Sequence, residues 1–196
     1  MKKNRRVYHN NLFIIWFLIL TTQLFVGHSL RLQPGNEKKI EIKEVEPFVY
    51  CSLSRQGAFT EIEAAVGELL HHMQAQNIFP TGSMIGIFHS DPTMSDPEKI
   101  QWEVGFPINE QTIVQAPLSK KIWSFKTVAV AIHIGPYEKT GETILKMREW
   151  LEENGYVQNG PVLERYLDPD SGNVSPDKFR TEIWLPCKKS ESENVV

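Results

Sequence analysis

The sequence is poor in the residues that crosslink small folds or assemble metal centres. Cysteine occurs only at 51 and 187, too few for a disulfide framework, and there is no CxxC pair or HExxH helix. Those two thiols leave one bridge or a pair of buried strand cysteines as the options. The six histidines are scattered except for His71-His72. Neighbouring helical residues point about 100° apart, so that pair does not converge on a metal. Basic residues form no stripe: "LSKKIW" and "PCKKS" are short groups, whereas a nucleic-acid surface needs a concentrated patch. No cofactor and no nucleic-acid partner are expected.

Long apolar runs are also scarce, with one exception. "LFIIWFLILTTQLFV" (12–26) follows a head carrying Lys2, Lys3, Arg5 and Arg6 and precedes "GHSL". A basic head, about 15 apolar residues and small residues after them describe a secretory signal. The run is shorter than the roughly 18–20 residues a membrane span demands. Residues 1–29 are therefore expected to be a signal peptide or an N-terminal membrane anchor, with membrane contact through this segment alone. The protein is expected to be exported: periplasmic, secreted or anchored facing outward. Without those residues, 17 basic groups stand against 24 acidic ones, a net charge of −7. Residues 30–188 then form one domain, and 189–196 a disordered tail.

The interior of the chain is duplicated. "EKKIEIKEVEPFVYCSLSRQG" predicts a strand ending near Arg55. "TEIEAAVGELLHHMQAQN" predicts a helix, with Thr60 and Glu63 spaced as a capping box. "GSMIGIFHSDP" and "KIQWEVGFPI" predict two strands about a turn-rich "SDPTMSDPE". The order recurs in "IWSFKTVAVAIHIGPY", in a helix capped by Gly155, and in "GPVLERYLDPDSGN" with "KFRTEIWLPC". Gly57, Phe59, Met73 and Phe88 fall 78 residues before Gly135, Tyr137, Leu151 and Tyr166. After the turn Glu103 and Pro107 fall 79 before Glu182 and Pro186. The expected fold is α+β, a pseudo-two-fold duplication of a β-α-β-β unit (about 40–108 and 122–187). Its antiparallel sheet carries two helices on one face and a cleft between the halves.

Strand parity sends Ile183 and Leu185 to the helix-packed core and Arg180, Glu182 and Trp184 to the other face. In the first half Trp102, Val104 and Phe106 face the core, opposite Gln101, Glu103 and Gly105. A carboxylate beside an indole attracts a lipophilic cation through charge and cation–π contact, and burial raises its pKa until a partner arrives. The residues alone also allow a structural role, in which Arg180 pairs with Glu182.

The tandem plan, "HIGPYEKTGETILKMREWLEENG" and the final "RTEIWLPC" resemble GyrI-like small-molecule-binding domains, akin to the effector-binding domains of AraC-type and MerR-type regulators. The similarity runs over roughly residues 40–188. It implies a cleft for lipophilic cationic small molecules in which Glu182 is lined by Trp184 and Tyr137, with Glu103 and Tyr166 as further ligand-binding residues. An apolar N-terminal segment stands where those regulators carry a DNA-binding helix-turn-helix, so the resemblance implies a stand-alone module. Two alternatives come with it. One is a hydrolase of reactive electrophiles using Glu182 with Tyr137 or Tyr166; the other is SOUL-like haem binding through His133.

Overall fold

The computed structural model describes residues 39–90, 96, 99–168 and 174–191. The expected leader (1–29), the last five residues of the tail and most of both turn-rich loops lie outside them. Among the described residues, no helix is long and apolar enough to cross a membrane. The elements are β1 (Glu41–Glu44), β2 (Phe48–Gln56), α1 (Ile62–Ala75), β3 (Ile85–Phe88), β4 (Gln101–Pro107) and β5 (Ser119–Trp123). They continue with β6 (Thr127–Ile134), α2 (Thr140–Glu153), β7 (Tyr156–Gln158), β8 (Val162–Tyr166) and β9 (Arg180–Lys189).

The strands pair antiparallel in the order β1-β6-β9-β8-β3-β4-β2-β5, with β7 added on β9. This order is a palindrome of the duplication. Moved by 78 residues, α1 becomes α2 from end to end. The dyad passes through the central pair β3–β8, where Gly86 lies opposite Glu164. Those two residues are themselves 78 apart.

Two segments, each read as one strand, are in fact two strands each. β1 breaks from β2 at 45–47, and β5 from β6 at 124–126. The leading strands cross over: β1 pairs with β6 and β5 with β2. Glu41 aligns with Val130 and Ser119 with Ser52, the same register in opposite halves. Each half is thus completed by the other's first strand. At the chain's end, β9 continues to Lys189, and the Ser190 amide donates to the Gly155 carbonyl at 3.0 Å. The tail therefore begins later than residue 189.

Helix periodicity explains how α1 and α2 dock. Ala65, Leu69 and Met73 in α1, and Thr143, Met147 and Leu151 in α2, recur every four residues and are buried. α1 packs mainly on β2 and β4, and α2 on β6, β7 and β9, leaving β3–β8 between them. Asn77 and Gly155, 78 residues apart, turn the chain away after each helix at φ 53° and 71°, a conformation in which Asn and Gly are the least strained residues. The expected capping box is not formed. Thr60 lies inside a short 3₁₀ turn, and Glu61 occupies the N-cap without a side-chain cap bond.

The sheet carries apolar clusters on both faces. Under α1 lie Leu53, Trp102 and Val104; under α2 lie Ala131, Ile183 and Leu185. The opposite face is filled by Tyr50, Ile85, Trp123, Leu163 and Trp184, with Val45, Phe48 and Phe125 folded over them. Cys51 and Cys187 are free, buried thiols in separate clusters. Side chains such as Trp102 each stabilise the fold by roughly 1.5–3 kcal/mol through burial.

Candidate functional site between the helices

Each half presents an aromatic pair toward the dyad. Gly57 (φ 128°) and Gly135 (φ 137°) end β2 and β6 in a backbone region closed to other residues. The 3₁₀ turns that follow start at Phe59 and Tyr137. Phe59 meets Phe88 edge-on at 5.2 Å, and Tyr137 meets Tyr166 edge-on at 5.0 Å, inside the range where such pairs attract. Tyr137 also stacks on Phe179 at 4.8 Å and donates its hydroxyl to the Asp168 carbonyl at 3.1 Å.

Between the two pairs sits Glu164, only 4% exposed. Val162, Glu164 and Tyr166 share the helix-side face of β8, so a carboxyl interrupts an apolar stripe. Tyr166 Oη donates to Glu164 Oε2 at 3.0 Å, and the Thr140 hydroxyl of α2 is its other partner. No described lysine, arginine or histidine forms a salt bridge with it. Burial raises its pKa to about 7, against the lowering effect of the Thr140 and Tyr166 hydrogen bonds. Burial also raises the Tyr166 phenol well above its usual value, with the Glu164 charge adding to it.

The Thr140 hydroxyl also reaches the Tyr137 carbonyl at 2.9 Å, and it has one proton to give. With Glu164 neutral, Thr140 donates to that carbonyl and accepts from the acid. Every group is then satisfied. Across the dyad, Gly86 leaves the room that this arrangement uses. A Cβ there would lie 2.8 Å from Tyr166 Oη and 3.0 Å from the Phe88 ring.

The residues expected to share one cleft are split between the two faces. Tyr137 and Tyr166 lie on the helix side; Glu182, Trp184 and Glu103 lie on the other, as their strand parity requires. Glu182 is held by Arg165 at 2.6 Å, whose guanidinium also covers Trp184 at 5.2 Å. Arg180 pairs with Asp168 instead, through two contacts of 2.8 and 2.9 Å. Trp184 packs between Phe48 and Trp123 and is 8% exposed, so it forms no open wall. Gly105 opens no space on that face, since a Cβ there would run into the Cys51 carbonyl oxygen. Glu103 is hydrogen-bonded by Ser52 (2.6 Å) and His89 (2.7 Å) and ion-paired with Lys121 (2.9 Å). Those donors overcome the effect of burial and hold its pKa at about 2.

His133 is buried with both ring nitrogens engaged, Nδ1 with Thr143 Oγ1 at 2.9 Å and Nε2 with the Pro136 carbonyl at 3.2 Å. A carbonyl only accepts, so Nε2 carries the proton. The imidazole pins the turn that presents Tyr137, and a haem iron would have to displace one of these bonds. Among the described residues no group of three metal-ligating side chains forms.

Sequence reasoning missed Glu164. The signal was its place in the repeat, where an acid in one half matches Gly86 in the other.

The fold is shared with solved structures. The EcmrR chain in a DNA complex superposes with a TM-score of 0.70 at 16% identity, over 90% of this chain and 63% of that one. This chain therefore spans under two thirds of that protein. The EcmrR C-terminal domain alone is covered to 98%, with 78% of this chain, a TM-score of 0.68 and 18% identity. A Listeria innocua protein described as a hydrolase matches at 0.58 and 14% identity, over 78% of this chain and 93% of that one. SAV2435 bound to tetraphenylphosphonium matches at 0.52 and 12%, over 76% and 94%. No curated protein matches the sequence significantly. Residues 38–188 match the family described as GyrI-like small molecule binding domain, and the chain belongs to that family.

Proposed function

We propose that the part of the sheet over β3–β8, left between α1 and α2, binds lipophilic cations, with Glu164 as the counter-charge and the Phe59–Phe88 and Tyr137–Tyr166 pairs as walls. The observation that carries this reading is a buried carboxyl with no cationic partner among the described residues, at the centre of two aromatic pairs. A bound cation supplies the missing charge, and the ring faces add cation–π attraction. SAV2435, with a similar fold, was solved with a bound phosphonium cation, which supports the same ligand class here.

Charge uptake follows from the chemistry. Without a bound cation Glu164 holds its proton up to about pH 7, and a cation favours the ionised form. Affinity therefore rises with pH up to about 7 and then levels, with a proton released on binding below that point. Calorimetry with tetraphenylphosphonium tests the assignment. Glu164→Gln is expected to weaken binding by about 1–3 kcal/mol, the range for a charge-assisted contact, while Glu182→Gln changes it little. The opposite pattern would move the site to the other face of the sheet. With residues 1–29 as a leader or anchor, the module works outside the cytoplasm. Mass spectrometry of the exported protein, showing a new terminus after Ser29 or an intact one, distinguishes cleavage from tethering.

A second reading uses the same residues. A carboxyl titrating near 7, with a phenol at 3.0 Å, is matched to general acid–base work on a bound electrophile. A structural neighbour is described as a hydrolase. Turnover of a strained-ring electrophile, lost in Glu164→Gln and Tyr166→Phe, supports this reading; prolonged incubation without product removes it.

A further inference from the structure

The sheet ends in β1 on one side and β5 on the other, and each end strand turns one row of backbone groups away from its neighbour. Two contacts show which residues own that row on β1. The Val45 amide donates to the Lys126 carbonyl at 2.8 Å. Val128 lies between Lys43 and Pro186, and proline has no N–H, so Val128 bonds toward Lys43. Hydrogen bonding alternates along an antiparallel strand. Glu41, Lys43 and Val45 therefore bond to β6, and the backbones of Ile40, Ile42 and Glu44 point outward from the sheet edge.

That outward row matches itself. With a second copy laid antiparallel and Ile42 opposite Ile42, Ile40 meets Glu44, and all three pairs exchange both backbone bonds. In the same register Glu41 faces Lys43 of the second copy, and Lys43 faces its Glu41. These side chains share the face away from the helices, where they already attract each other along one strand at 2.8 Å. Opposite charges directly across a ladder stabilise it. On the other face Ile40 and Ile42 are only partly buried against the α2 cluster, and an added strand covers more of them. A hollow of about 570 Å³, lined by Ile42, Glu44 and Tyr156 among others, adjoins this edge and leaves room for the added side chains.

The duplication supplies an internal control. Moved by 78 residues, β1 falls on β5, and there the equivalent register sets Lys120 opposite Lys120, like charges that repel. Lys120 is also engaged with the Glu110 and Thr112 carbonyls, the latter at 3.0 Å, which ties the preceding loop beside that edge. Lysines are a common guard on an exposed edge. On β1 the signs alternate instead.

We infer that β1 is a self-association edge, where two copies of this chain join antiparallel about Ile42 into one continuous sheet with two-fold symmetry. A second copy is the partner because Glu41-Ile42-Lys43, set against its own reverse, pairs acid with base at both ends. The interface is small, three backbone pairs, so association is expected in about the micromolar to millimolar range. Nothing in it depends on the cation reading.

Oxidative crosslinking of the full chain tests the register. Ile42→Cys sets two thiols opposite each other at about 5.5 Å between Cα atoms, within the span of a disulfide, so a covalent dimer is expected. Lys120→Cys on β5 is expected to give none, and Cys51 and Cys187 are buried and do not compete. Sedimentation tests the charges. Lys43→Glu should weaken dimerisation about tenfold, because like charges then face each other twice, and adding Glu41→Lys should restore it. Any association through residues 1–29 is common to these variants and drops out of the comparison. Dimers that resist Lys43→Glu, a charge swap that fails to rescue, or equal crosslinking at 42 and 120 would overturn the assignment. So would species growing beyond dimers, which need β1 to pair with β5, or a chain still monomeric at about millimolar concentration.

Discussion

Glu103 and Glu164 are buried to the same depth, each 4% exposed, yet one is held ionised and the other close to neutral. Glu103 receives a hydroxyl, an imidazole and an ammonium; Glu164 has two hydroxyls. The donors a carboxyl meets, more than its depth, decide whether it keeps its proton. The ion-paired acid belongs to structure. The acid without a cation is the one prepared for a cationic guest.

The largest test of this contrast is Glu103→Gln. Its folded pKa, about 2 against an ordinary 4.5, means that its stabilisation is complete above 4.5 and lost as pH falls through 2. Urea unfolding at pH 7 should show a loss of about 3 kcal/mol, from 1.36 kcal/mol per unit. A neutral outcome would break the comparison. Glu164 has the opposite sign. A folded value of about 7, above 4.5, makes its contribution full below 4.5 and lost as pH rises through 7. Glu164→Gln should therefore be more stable than the parent above pH 7, by about 1–3 kcal/mol, and similar to it near pH 4.

Gly86→Ala sharpens the geometry of the neutral site. Its methyl would crowd Tyr166 and Phe88, costing about 1–2 kcal/mol as overpacking does and reducing tetraphenylphosphonium affinity. The smallest expected effect is at Thr181, fully buried with an unpartnered hydroxyl. Thr181→Val should raise stability by less than about 1 kcal/mol, measured by thermal melting, because it removes a buried group that has no bond.

Much of the architecture was legible because the apolar spacing is regular and the two halves repeat it. The register from Gly57 to Phe88 places both helices and the strands they cover. β1 and β5 escaped because 45–47 and 124–126 carry Val45, Pro47 and Phe125 without a glycine to mark a break. Parity put Glu182 and Trp184 on the correct face, away from the helices. It could not show that Phe48, Trp123 and Phe125 fill that face, because those contacts come from segments distant in sequence. Glu164 was hidden for a simpler reason. In "VLERY" each face of the strand has one charged residue, so pattern alone does not say which charge is buried.

The crossed leading strands bear on how such a protein arises. A lone half, built from its own first strand to its own last, would have no way to complete its sheet except by trading that first strand with another copy. Its natural state would be an intertwined homodimer. Joining two copies head to tail turns the trade into an internal clasp. Cutting the chain between 108 and 119 should therefore give fragments that stay locked together in a native sheet.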